Sequence, residues 1–99
     1  MTVSIIVFML SWLLMKRRSR IDVLIDILTE ALNGCSKTKL MYRCNLNYRC
    51  FNRYLKELLD KDLLIKIERS SKKTIHYKTT EKGKELLQVL RRAKQLTAS

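Results

Sequence analysis

The clearest structural pattern of the chain lies in Lys37–Lys61, with the sequence KTKLMYRCNLNYRCFNRYLKELLDK. Its apolar residues recur at helical spacing on both sides of one interruption. They are Leu40, Cys44, Leu46, Phe51, Tyr54, Leu55, Leu58 and Leu59. The interruption, Asn45-Leu46-Asn47, suits a tight turn because Asn tolerates the left-handed backbone conformation. We therefore predict two helices packed at a steep angle as a helix-turn-helix, with the second helix capped by Asn47.

The outward face of the second predicted helix, Asn47–Asp60, carries side chains that donate hydrogen bonds. The candidate DNA contacts on this recognition helix are Tyr48, Arg49, Asn52, Arg53 and Lys56. Such donors can contact base edges or phosphate oxygens. Helix-turn-helix geometry also occurs outside DNA binding, so a pair of core helices with a solvated basic face stays open as an alternative.

Length and charge restrict the class of protein and the kind of partner. A chain of 99 residues has room for one domain. Its 21 Lys and Arg residues against 9 Asp and Glu residues give a formal net charge of +12. Met1–Met15 contains none of these charges, so the whole excess lies on residues 16–99. This field favours a polyanionic partner, nucleic acid first and an anionic membrane surface second, over a role in solubility alone.

The sequence offers no set of residues for catalysis, metal binding or a cofactor. Cys35, Cys44 and Cys50 have spacings that match no zinc pattern, and His76 is the only histidine. No Ser-His-Asp set or phosphate-binding Gly loop is present. We therefore expect a non-enzymatic protein without cofactor or metal. We expect Cys44 and Cys50 to be small buried hydrophobes, Cys35 to lie in a loop as a free thiol, and His76 to be exposed.

Met1–Met15 (MTVSIIVFMLSWLLM) is apolar and is followed by Lys16, Arg17, Arg18 and Arg20. As a helix it would be about 22 Å long, shorter than the roughly 30 Å of a bilayer core. Three interpretations stay open. The segment is a helix buried against the domain or in a dimer interface, or it is a short membrane anchor that holds the domain on the cytoplasmic face. The third interpretation is that translation naturally begins at Met15, which would make the segment an artefact of start choice.

The flanking segments predict the rest of the domain. Ser19 caps a helix that runs to Leu32 with an inward stripe of Ile21, Leu24, Ile25, Leu28, Ala31 and Leu32, and Asn33-Gly34 ends it. Ser36 or Thr38 caps the next helix. Thr80 caps a last helix to about Leu96, in which Leu86, Leu90 and Ala93 offer a surface for a dimer.

Two alternating segments predict a hairpin. Leu63–Arg69 has Leu63, Ile65 and Ile67 on the face that we expect to be buried, and Thr74–Thr79 alternates again. The tip between the strands carries Lys72 and Lys73, placed to contact phosphates or a minor groove beside the recognition helix. A hairpin directly after a helix-turn-helix predicts a winged helix.

Three segments in order carry a resemblance: IDVLIDILTEAL, KTKLMYRCNLNYRCFNRYLKELLDKDLL and YKTTEKGKELL. Together they resemble the small archaeal winged-helix DNA-binding proteins of the Sulfolobus 10a type, from about Arg20 to Leu90. The resemblance implies a dimer that binds double-stranded DNA, as a regulator or as an abundant chromatin-like protein. Members of that family dimerise through a long final helix, which here ends near Leu96, and Met1–Met15 is not part of the family pattern.

The sequence thus predicts an α+β fold, mostly α: a winged helix-turn-helix in residues 16–99, with a two-stranded wing and an extra apolar helix in residues 1–15. We expect a homodimeric transcriptional regulator on duplex DNA, cytoplasmic and nucleoid-associated, with Tyr48, Arg49, Asn52, Arg53, Lys56, Lys72 and Lys73 at the interface. The alternatives are a chromatin-like architectural protein, a protein-interaction module, and a membrane-tethered form held by Met1–Met15.

Overall fold

A computed structural model describes residues 19–69 and 74–98 of the chain. The helices are α1 (Arg20–Glu30), α2 (Lys37–Arg43), α3 (Tyr48–Asp60) and α4 (Glu81–Ala98), and the strands are β1 (Cys35–Ser36), β2 (Leu64–Arg69) and β3 (Thr74–Thr79). This order confirms the predicted winged helix. The predictions for Met1–Met15, Lys72 and Lys73 lie outside the described residues. No helix within the described ranges is long and apolar enough to cross a bilayer.

Each helix begins at a residue whose side chain accepts a hydrogen bond from the first turn. Ser19, Ser36 and Asn47 accept from the backbone N–H of Asp22, Lys39 and Cys50, respectively. The Thr80 hydroxyl accepts from Gly83 N–H at 3.0 Å. These bonds satisfy backbone donors that the first turn of a helix leaves unpaired. The four predicted caps are confirmed, with Ser36 preferred over Thr38.

The sheet has three antiparallel strands in the order β1-β3-β2, one more than the predicted hairpin. The added strand is β1, in which Cys35 pairs with Tyr77 and Ser36 pairs with His76. Cys35 is therefore buried in a strand, and the prediction of a loop there was wrong. Burial raises the pKa of the Cys35 thiol above its ordinary value. Two residues are too few to show alternation, so the sequence carries no periodic signal for this strand.

The buried face of β2 is opposite to the predicted one. Leu64 pairs with Thr79, which places Leu64 on the core face, while Ile65 and Ile67 point outward and are 52% and 36% exposed. Leu63 is buried, but it precedes the strand and follows a turn in which Asp62 has a φ of 57°. Because side chains in a strand alternate with a period of two, starting the strand one residue later inverts every assignment.

His76 is half-buried on the outer face of the sheet, so the expectation of an exposed histidine was wrong. It lies on the central strand, between Ser36 of β1 and Ile67 of β2. Its Nδ1 is buried and has no hydrogen-bond partner in the part of the chain that the structure describes.

The core lies between the apolar sides of the helices and the inner face of the sheet. Its members are Val23, Ile27, Leu28, Ala31, Cys35, Leu40, Cys44, Phe51, Leu55, Leu58, Leu63, Leu64, Tyr77 and Leu87. In α1 the most buried stripe includes Val23 and Ile27, whereas the predicted Ile21 is exposed. The helix is apolar on most sides, so its periodicity did not determine which side faces inward.

The last helix packs along α1 and closes the core. Lys94 Nζ lies 2.5 Å from Asp22 Oδ1, and this bond lowers the pKa of Asp22 and raises that of Lys94. Leu86, Leu90 and Ala93 are half-buried, and the first two pack against the core of their own domain. The exposed large apolar residues of α4 are Val89 and Leu96, and the predicted dimer surface of Leu86, Leu90 and Ala93 stays a prediction.

Thr79 links the sheet to α1 through two hydrogen bonds. Its buried hydroxyl donates to the carbonyl oxygen of Leu28 at 2.7 Å, and its N–H donates to that of Ala31 at 2.9 Å. Both bonds lie where α1 ends, so β3 cannot separate from the helix without breaking them.

We expect Thr79→Val to lower the free energy of unfolding by about 1–3 kcal/mol. The shape is kept, but a buried hydrogen bond is lost and the Leu28 carbonyl is deprived of a donor. Urea titration measures the loss. Thr74→Val is the control, because Thr74 is an exposed residue of the same strand. Equal midpoints for the two variants would contradict the role given to the Thr79 hydroxyl.

Candidate nucleic-acid interface

The turn before α3 fixes where the helix begins. Asn45 has a φ of 53°, in the left-handed region, as its residue type predicts. Asn47 then caps the helix, with its Oδ1 accepting from Cys50 N–H at 2.8 Å. From this start, Phe51, Leu55 and Leu58 fall on one side of α3 and are buried. The opposite side of α3 is thereby directed away from the core.

That outward side brings together all five candidate contacts from α3. Together they surround one shallow depression with a volume of about 490 Å³: Tyr48, Arg49, Asn52, Arg53 and Lys56. Asn52 is half-buried and the other four are exposed. Three cationic side chains, an amide and a phenol thus share one surface, which can donate to phosphate oxygens and to base edges.

A contact from α2 supports the N-terminal end of this surface. Lys37 Nζ lies 5.1 Å from the centroid of the Tyr48 ring, within the range of a cation–π interaction. The interaction orients the Tyr48 ring and places a further positive charge beside it. Sequence reasoning did not connect these two residues, because they lie on different helices.

The exposed side of α2 adds a residue that sequence reasoning missed. Tyr42 is 83% exposed, between Lys39 and Arg43 in position along the helix. An aromatic side chain off the buried stripe of Leu40 and Cys44 was the available signal. Arg43 is turned toward α1, where its guanidinium bonds Glu30 at 3.2 Å.

Glu57, an acidic residue of α3, forms ion pairs with two basic side chains. Glu57 accepts a hydrogen bond from Lys61 Nζ at 3.0 Å and also pairs with Arg20 of α1. The pKa of Glu57 lies below its ordinary value, chiefly because of the bond from Lys61, with the positive charge of Arg20 adding to it. The guanidinium of Arg20 also lies 5.9 Å from the centroid of the Tyr54 ring.

The wing contributes its two strands to the described structure, while Lys72 and Lys73 lie outside it. Lys66 and Lys78 are exposed on β2 and β3. Among the described residues, no group of His, Cys, Asp and Glu is arranged to hold a metal ion.

A family model described as "Winged helix-turn-helix" matches residues 17–98. The chain belongs to this winged helix-turn-helix family. The match covers every element from α1 to α4. No curated protein matches the sequence.

Solved structures share the fold of this winged helix-turn-helix chain. Sso10a-2, a DNA-binding protein from Sulfolobus solfataricus, superposes with a TM-score of 0.71 at 24% identity, over 82% of this chain and 83% of that one. A mutant of MarR from E. coli gives 0.64 at 17% identity, over 76% of this chain and 54% of that one. The adhesin competence repressor AdcR from Streptococcus pyogenes gives 0.62 at 14% identity, over 98% and 75%. The family model and the first of these structures confirm the winged-helix fold that the resemblance to the Sulfolobus 10a type implies.

We expect Glu57→Gln to reduce stability at neutral pH by about 0.2–1 kcal/mol, the usual range for partly exposed ion pairs. Because the folded-state pKa of Glu57 is lowered, its contribution is present above the ordinary pKa of a glutamate and is lost as the pH falls through the folded-state pKa. Denaturation midpoints at neutral pH and in acid measure this. A double-mutant cycle with Lys61→Met isolates the pair, and a difference that persists unchanged in strong acid would contradict the assignment.

Proposed function

We propose that this chain binds double-stranded DNA through the outward side of α3, with the wing beside it, and that it acts without catalysis. The observation that carries the proposal is the convergence of Tyr48, Arg49, Asn52, Arg53 and Lys56 on one surface opposite the buried side of α3. A helix presented in this way can enter a major groove, where its side chains reach base edges.

The charge of the chain supports the same partner. A net charge of +12 on 99 residues attracts the phosphate backbone over a distance of several ångströms. Glu57, one of the two acidic residues of α3, is paired with Lys61 and Arg20. It therefore adds little repulsion toward a phosphate. The name of Sso10a-2 as a DNA-binding protein agrees with this partner.

We expect Arg53→Glu to weaken binding to duplex DNA by about tenfold or more at moderate salt, because one good contact is worth about 1–3 kcal/mol. If Arg53 contacts a phosphate, the slope of log affinity against log salt also falls in magnitude by about one. Fluorescence anisotropy over a salt series measures both quantities.

Arg92→Glu is the matched control, because it makes the same change in net charge on the exposed part of α4. It should reduce affinity much less than Arg53→Glu. Equal losses for the two variants would show that only net charge matters and that the α3 surface is misassigned. Affinity independent of salt would remove the electrostatic basis of the proposal.

Within DNA binding, we propose a transcriptional regulator, cytoplasmic and nucleoid-associated, in preference to an architectural protein. Arg49, Asn52 and Arg53 can make hydrogen bonds that distinguish bases, which an architectural protein does not need. Selection of bound sites from a random duplex pool separates the two roles. An enriched motif supports the regulator, and the absence of enrichment supports the architectural role.

A protein-interaction role is the second candidate, and the outer face of the wing favours it. Ile65 and Ile67 are exposed there, next to the half-buried His76. Exposed apolar side chains at adjacent positions of one face are a common feature of protein interfaces. If the chain is retained by neither duplex DNA nor heparin at low salt, this candidate replaces DNA binding.

We propose that the DNA-binding form is a homodimer. One α3 covers only a few base pairs, and two copies related by a two-fold axis would match a palindromic site. Leu96 is exposed near the end of α4, where a second copy can pack. Light scattering of the full chain should give about twice the chain mass of 11.8 kDa. A mass of one chain at the concentrations where DNA is bound would contradict the dimer.

A further inference from the structure

An apolar groove lies on a different side of the domain from the α3 surface. It runs between α1, the C-terminal half of α3 and α4, and its volume is about 550 Å³. Its apolar walls are formed by Leu24, Leu58, Leu63, Leu86 and Val89. It shares no lining residue with the depression around Arg49 and Arg53. The groove is therefore separate from the proposed DNA interface.

The residues that line this groove differ in their exposure to solvent. Leu58 and Leu63 form a buried floor, whereas Val89 at one edge is 63% exposed. The lining also includes the charged residues Arg20, Glu57, Lys61, Lys82 and Glu85. A concave apolar surface with a polar rim is the usual form of a site that receives an apolar side chain or ligand.

The chain itself supplies a segment of matching chemistry beside the groove. Ser19 caps α1 and Arg20 lines the groove, so the residues that precede them enter the domain at this point. Met1–Met15 contains no charged residue, and Lys16–Arg18 separate it from Ser19. Three extended residues span at most about 10 Å, which keeps the apolar segment near the groove.

We propose that Met1–Met15 of the same chain docks in this groove. The segment includes Phe8, Trp12 and Leu13, which are large apolar side chains whose burial favours docking. A short tether gives an effective concentration of the order of millimolar, so the segment of the same chain outcompetes a free ligand of equal affinity. A segment without charged residues needs a protein surface or lipid to cover its apolar side chains, and this groove is lined by Arg20, next to the residue where the segment joins the domain.

Docking there would link the segment to the DNA-facing helix. Glu57 and Leu58 of α3 and Leu86 of α4 line the same groove, so the docked segment would contact both helices. By contacting both helices, the docked segment would stabilise the position of α3 relative to α4.

Trp12 makes the proposal measurable, because it is the only tryptophan in the chain. In the full chain without detergent, we expect blue-shifted Trp12 emission and protection from acrylamide quenching. Val89→Lys places a charge at the exposed edge of the groove without disturbing a buried residue. It should shift the emission to the red and increase the quenching constant at least twofold.

Ile65→Lys is the matched control, since Ile65 is a similarly exposed β-branched residue on the wing, outside the groove. It should leave the Trp12 emission unchanged. Val89→Asn serves as a second groove variant that is smaller and uncharged, and circular dichroism verifies that each variant is folded. Exposed Trp12 emission in the unaltered chain, or equal emission from the Val89 and Ile65 variants, would overturn the proposal.

Two further measurements exclude other occupants. If the blue shift disappears on dilution below the dimer dissociation range, the segment docks in a second copy and the same-chain proposal fails. If brominated phosphatidylglycerol vesicles quench Trp12 in the full chain at equilibrium, the segment prefers lipid and the proposal also fails. Emission that is unchanged in both measurements supports docking within one chain.

Discussion

The burial of Phe51, Leu55 and Leu58 is the interaction on which the rest of the structure depends. These side chains fix the rotation of α3 about its own axis, because side chains at i, i+4 and i+7 share one face of a helix. Once that face is inward, Arg49, Asn52 and Arg53 have only the outward direction available. The same packing therefore stabilises the domain and orients the proposed DNA contacts.

The neighbouring elements hold α3 in this position. Cys44 and Leu40 of the preceding helix are buried in the same core, and Asn45 makes the turn between the two helices. The Thr79 hydroxyl links the sheet to α1 by donating a hydrogen bond of 2.7 Å to the Leu28 carbonyl oxygen. The turn at Asn45 and the buried hydrogen bond of Thr79 thus fix the orientation of neighbouring elements, which apolar packing alone would leave adjustable.

Local chemistry made the helix-turn-helix predictable from the sequence. Asn45 and Asn47 mark the turn and the cap directly, and the buried stripe of α3 has a clear period. The face of β2 was not predictable in the same way, because Leu63 and Leu64 are both apolar and a positive φ at Asp62 decides where the strand begins. The strand at Cys35 and the stacking of Lys37 on Tyr48 depend on residues distant in sequence, so no local pattern could indicate them.

The central claim is that the outward side of α3 is the surface that meets DNA. A nuclear magnetic resonance titration of the full chain with a duplex tests it most directly, because each backbone amide reports separately. We expect the largest shift changes in Tyr48–Lys56, with smaller changes at Lys37 and in the wing strands, and little change around Arg92 of α4. Shift changes concentrated on α4 or on the outer face of β2, with Tyr48–Lys56 unaffected, would contradict it.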